Sequence, residues 1–231
     1  MSPPSGDAAR SFDAARSFDA AKGVIARVAT PPGAQEEAAD KLPAIDVSAV
    51  PGARVTLRRG FVSDAVTVRV ACVTAPSDRW APGLEDLVLG RATTLAIASL
   101  GSPVDRWETG PRRTTGARME QRVAGRLGDR EVASIAHTLG FVGEDHDVVL
   151  CSIGCAARGD PSIARCDDLL AASAIEGALS GPPPPSMLVR TALLIADRPR
   201  EAAAILGVFG MIAAAVIIAR RPRVPRRARF H

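Results

Sequence analysis

Between Ala202 and Ala219 the chain runs for eighteen residues without a charged side chain, and Arg220 to His231 then carries six arginines. Such a segment must be covered by protein or by lipid, so it limits the fold more than any other stretch. As a helix it spans about 27 Å, close to the roughly 30 Å hydrocarbon core of a bilayer. Eight of its residues are strongly apolar: four Ile, one Leu, two Val and one Phe. Together they favour insertion by about 2 to 5 kcal/mol. The segment therefore reads as one C-terminal transmembrane helix, with Ala202, Ile205, Leu206, Phe209, Ile212, Ile217 and Ile218 as anchor residues. Arg220, Arg221, Arg223, Arg226, Arg227 and Arg229 then read as topology or lipid-headgroup contacts. The competing reading is a soluble protein with a buried C-terminal helix, and it needs a covering surface that the arginine tail does not supply.

The side on which the preceding residues lie is contested. Positive-inside counting compares six arginines after the segment with Arg190, Arg198 and Arg200 before it, which favours a cytoplasmic tail and an external domain. Against this, Asp7, Asp13 and Asp19 stand where the apolar region of a signal peptide belongs. The lean is to a tail-anchored, single-pass protein with a cytoplasmic domain, although moving six charges outward costs about 2.3 kcal/mol each per 100 mV. Small residues spaced by four, Ala203/Gly207 and Gly210/Ala214, suit weak homo-association of such helices.

The charge balance follows from the same tail. Residues 1–219 hold 23 Lys and Arg (29 − 6) against 25 Asp and Glu, a net of −2, and the tail adds +6. No general basic surface exists to track a nucleic-acid backbone, so no nucleic-acid partner is expected. Two lysines among 29 basic residues, with abundant Ala, Arg, Gly and Pro, look like the composition of a GC-rich bacterial genome.

Residues 1–46 read as a disordered Ala/Pro-rich tail. DAARSF, DAARSF and DAAKGV repeat from Asp7, and six residues turn a helix by about 240°, so Phe12, Phe18 and Val24 form no helical stripe. The globular part is expected over 47–180. Two strands read around breaks at Arg59-Gly60 and Ser63-Asp64, the second with Val66, Val68, Val70 and Cys72 on one side. A helix is expected from Pro82 to Leu100, with Glu85 and Asp86 in its first turn and Gly101 after its last. Strands at Met119–Val123, Val132–Phe141 and Val148–Cys155 form a meander, with polar turns between them. Asp160-Pro161 opens a second helix, read to Leu179 and stopped by SGPPPPS. Residues 181–201 are then a Pro-rich spacer and juxtamembrane segment, 202–219 the span and 220–231 the tail.

This order of hairpin, helix, three-strand meander and helix predicts an α+β fold on an antiparallel sheet. It resembles the order of small Mog1/PsbP-like domains, a likeness of element order that carries no site and no activity.

CSIGCAARGDPSIARC places Cys151, Cys155 and Cys166 close together, with Cys72 upstream. Three states compete: buried thiols, a Cys155–Cys166 disulfide joining the last strand to the last helix, and a zinc site poorly matched by CxxxC spacing. Glu144-Asp145-His146-Asp147 reads as a solvated turn, and His137 as a core or edge histidine. Trp80 and Trp107 flank the first helix and pack on it or the sheet. No catalytic, metal or cofactor motif appears. The expectation is a non-enzymatic binding or scaffolding domain displayed on a bilayer, with an unidentified protein partner. The alternative is an enzyme using Cys151, Cys155 or His146.

Overall fold

The computed structural model describes residues 13–78, 80–81, 83–101, 104, 106–127, 131–158 and 163–183. Strict alternation sets the architecture. In β5 (Val66–Ala75) Val66, Val68, Val70, Cys72 and Thr74 are buried and their neighbours are half-exposed, the pattern of a strand with one face on a core. β4 (Arg54–Val62) pairs antiparallel with one side of β5. β10 (Asp147–Arg158) takes its other side and carries β9 (Glu131–Val142) in turn. β8 (Arg118–Leu127) follows β9, and the three-residue strands β6 (Trp107–Thr109) and β7 (Arg113–Thr115) share its outer edge. β3 (Gln35–Glu36) closes the far side beside β4, which makes eight strands in one antiparallel sheet.

A second sheet holds β1 (Asp13–Ala21), β2 (Val24–Thr30) and β11 (Ala174–Gly177) in the order β1-β2-β11. β1 turns into β2 through Lys22-Gly23, with Ala21 opposite Val24. Gly23 has a φ of 70°, which this two-residue connection requires and a side chain would oppose.

The two faces of the large sheet are covered differently. α1 (Leu84–Leu100) lies over β5, β9 and β10 and buries Leu89, Ala92, Ala96 and Leu100. The other face meets the small sheet and α2 (Ile163–Ala171). There Val24, Ala26 and Val28 share one continuous core with Phe61, Val68, Val70, Cys151, Ile153 and Leu169. The described residues are thus layered as helix, large sheet, then small sheet with helix.

A guanidinium ties the loop after β3 into this frame. Arg69 Nε and Nη2 each donate to the Glu37 carboxylate at 2.8 Å, and Nη1 donates to the Ser99 carbonyl at the end of α1. Both side chains of the pair are about one-sixth exposed, so the two-pronged contact is stronger than a surface ion pair. Gly60 sits opposite Arg69, where a Cβ would strike the Glu37 carboxylate and Leu42.

The α+β expectation is corrected: the fold is mostly antiparallel β-sheet, with two helices among the described residues. Within the tail expected to be disordered, the second copy of the repeat and the start of the third form β1. A step of six residues is three full strand periods, so the repeat that has no helical face has a constant strand face. β4 runs through the expected break at Arg59-Gly60 for the packing reason just given. α2 stops at Ala171, not Leu179: Ser173 Oγ donates to the Leu169 carbonyl and accepts from the Ala29 amide, and Ala174–Gly177 then pair with β2.

The transmembrane, tail-anchored expectation is corrected too. Among the described residues no helix is long and apolar enough to cross a membrane. α1 has 17 residues and carries Glu85, Asp86 and Arg91, and α2 has nine, a length of about 14 Å. The anchor residues of 202–219, the Ala203/Gly207 and Gly210/Ala214 pairs, and the arginines of 220–231 lie outside the described residues.

Candidate functional site

The register decides where each candidate side chain goes. Cys72 of β5 stands directly opposite Cys151 of β10, and the two form a disulfide with Cα atoms 4.1 Å apart. Four residues along β10 on the same face, Cys155 bridges to Cys166 of α2. Every cysteine is therefore in a disulfide, and all four are at most 1% exposed. Among the described residues no group of His, Cys, Asp and Glu is arranged to hold a metal ion.

His137 lies on the opposite face of the sheet, beneath α1. Its Nδ1 is 2.8 Å from Ser152 Oγ and its Nε2 is 3.0 Å from Thr93 Oγ1. Burial pushes its pKa down to about 4, so at neutral pH it is an uncharged imidazole that donates to one hydroxyl and accepts from the other. His146 belongs to the turn between β9 and β10, with a φ of 52° and its Nδ1 3.3 Å from Ser180 Oγ. The sheet separates His137 from the cysteines, and no thiol remains to pair with either histidine. Trp107 donates to the Val104 carbonyl at 3.0 Å, and Trp80 meets Phe141 edge-on at 5.1 Å.

Two concavities adjoin the faces that carry these residues. Beneath α1 a cavity of about 60 Å³ is lined by Leu42, Arg58, Arg69, Ala71, Ala96 and Ser152. Its guanidiniums are engaged: Arg58 donates to the Pro43 and Ala39 carbonyls, and Arg69 holds Glu37. This is packing space without a free polar group aimed at a ligand.

The other face differs. The small sheet and α2 leave the β7–β8 end of the large sheet uncovered, and a groove of about 500 Å³ runs there against the α2–β11 segment. Arg118, Arg122 and Arg126 recur every fourth residue of β8, so they share a face. Arg113 stands opposite Glu120 on the same side. Arg113, Arg118, Glu120 and Arg122 line the groove, with Thr138 and Ile175 across it. Arg118 lies 3.7 Å from Glu120, while Arg113, Arg122 and Arg126 have no ion-pair partner among the described residues. An open face with unneutralised guanidiniums recognises carboxylate or phosphate groups. The clue in the sequence is the even spacing of arginines in RMEQRVAGR, hidden when the strand is read only over 119–123.

Fold and site together define a disulfide-stapled antiparallel β domain with an arginine-lined groove on one face. No protein-family model and no curated protein matches the chain. It is similar to the solved structure of LpqN, described as involved in cell envelope biogenesis of Mycobacterium tuberculosis, at 11% identity and a TM-score of 0.36 over 70% of this chain and 90% of that one.

Proposed function

We propose that the chain is a binding domain that works in an oxidising compartment. The observation that carries this reading is the engagement of all four cysteines in two buried disulfides, since such bridges persist where thiols are not held reduced. It reverses the cytoplasmic lean taken from the sequence and invokes no membrane span. Binding is favoured over catalysis because the residues suited to a thiol–imidazole site are committed elsewhere: the thiols to each other and His137 to two hydroxyls. The groove along β8 supplies the surface.

Trapping the protein with acid in its native host, denaturing it and labelling with a maleimide polymer tests the compartment. The expected result is no gel shift until a reductant is added, then a shift for four thiols. Four free thiols without reductant would overturn the reading.

A further inference from the structure

We propose that the groove along β8 holds an extended acidic segment of a partner protein, read by alternation of charge. This rests on the binding reading above and not on the compartment.

The charge row carries the argument. Along one face of β8 the order is Arg118, Glu120, Arg122, Ala124 and Arg126, with successive positions about 7 Å apart. The lining therefore presents three guanidiniums, those of Arg113, Arg118 and Arg122, and one carboxylate. Glu108 of β6 stands opposite Ala124 on the same face and sets a second carboxylate between Arg122 and Arg126. Of the other acidic groups nearby, Asp167 of α2 accepts from Ser134 at 3.3 Å, and Glu176 of β11 is paired with Arg27 at 3.0 Å. Neither neutralises the row.

A uniformly charged polymer, such as polyphosphate or a sulfated sugar, would set a negative charge against Glu120. A peptide need not. With acidic residues at every fourth position and a basic one midway between the first two, an extended chain meets Arg118, Arg122 and Arg126 with carboxylates and Glu120 with an ammonium. Like charges in register repel and unlike ones select the partner, so Glu120 makes the row specific for a heteropolymer. Thr138, Ala136 and Ile175 across the groove contact the intervening small residues. β6 and β7 already occupy the outer edge of β8, so the segment lies on the face and does not extend the sheet.

The test uses the full chain and two labelled peptides, Asp-Ser-Lys-Ser-Asp-Ser-Ala-Ser-Asp and the same peptide with Glu in place of Lys, titrated by anisotropy at about 0.05 M salt, where screening is incomplete. The expected result is tighter binding of the Lys peptide by about threefold or more, despite its smaller net charge. Glu120→Lys reverses this preference, and Arg122→Glu weakens the Lys peptide about tenfold. Arg91→Glu on α1, the same change of charge on the other face, leaves it within about twofold. Circular dichroism confirms that each variant is folded; Glu120 and Arg122 are exposed surface positions, and Glu120→Lys reads a preference and not a loss. Tighter binding of the Glu peptide, or of polyphosphate over both, overturns the proposal in favour of a general polyanion surface. Equal effects of Arg122→Glu and Arg91→Glu overturn the site. Each result leaves the thiol-labelling outcome unaffected, so the two readings fail separately.

Discussion

His137 enters the core because Thr93 and Ser152 satisfy both of its nitrogens, and it enters uncharged because burial disfavours the imidazolium. The stability consequence has a definite sign. The folded-state pKa of about 4 lies below the ordinary 6.5, so between those values the unfolded chain binds the extra proton. Stability is full above about pH 6.5 and is lost as pH falls toward 4. The loss between pH 7 and pH 5 from this one group is about 2 kcal/mol. Urea unfolding at the two pH values measures it, and His137→Gln, though less stable at pH 7, is expected to remove most of that difference. An undiminished difference in the variant would assign the acid sensitivity elsewhere. At this scale the sequence was informative about type and silent about direction. A histidine between Ile135 and Leu139 reads as a core residue, but nothing local says that its strand places it under α1 and the cysteines on the far face. That follows only once β9 and β10 are paired.

At the scale of the element, the hexapeptide repeat shows how one pattern changes meaning with its period. In β1, Phe18 packs on Phe61 with ring centres 6.0 Å apart, and Arg16 lies over the same ring. β1 reads DAARSFDAA, and residues 7–15 spell the same nine letters. Deleting residues 13–18 therefore rebuilds the identical strand, and its melting temperature is expected to stay within about 2 °C of the parent. Deleting residues 13–17 changes the count by an odd number and moves the residues before Phe18 to the opposite face, with an expected loss of about 2 kcal/mol or more. Equal melting temperatures for the two deletions would show that β1 contributes little. The bridges act on elements as well. On loop-closure entropy, replacing Cys155 and Cys166 by Ser should cost about 3 kcal/mol, and replacing Cys72 and Cys151 about 4.5, because the second pair closes 79 residues and the first 11. Urea midpoints in the reverse order would show that the folded-state contacts, not the chain lengths, set the two contributions. β5 and α1 were legible because alternation and helix-end signals are local, and β9 and β10 because the turn residues that bound them are. β6, β7 and β11 were not, since strands of three or four residues carry too little pattern and exist by pairing with β8 and β2.

The largest core of the described residues is shared between two sheets, and this decides what fraction of residues 13–183 can fold alone. The sequence places the start of the globular part at Val47, yet Ala20, Val24, Ala26, Val28 and Ala29 are buried to within 1% and lie in the same cluster as Phe61, Val66, Val68 and Val70. Removing residues 1–46 exposes both sides of that contact. Val24 and Val28 contribute about 1.5 to 3 kcal/mol each by burial, and uncovering Phe61 adds a similar amount. The sum, about 5 to 9 kcal/mol, matches the whole stability of an ordinary domain, about 5 to 15 kcal/mol. The truncation also removes Glu37, which leaves Arg69 without its carboxylate, and β3, which guards the edge of β4. A chain beginning at Val47 is therefore expected to lack a cooperative urea transition and to bind a hydrophobic dye, while the full chain unfolds in one transition seen alike by circular dichroism and tryptophan fluorescence. If the shortened chain instead unfolds cooperatively within about 2 kcal/mol of the parent, the second sheet is an accessory and the large sheet with α1 and α2 is a domain by itself.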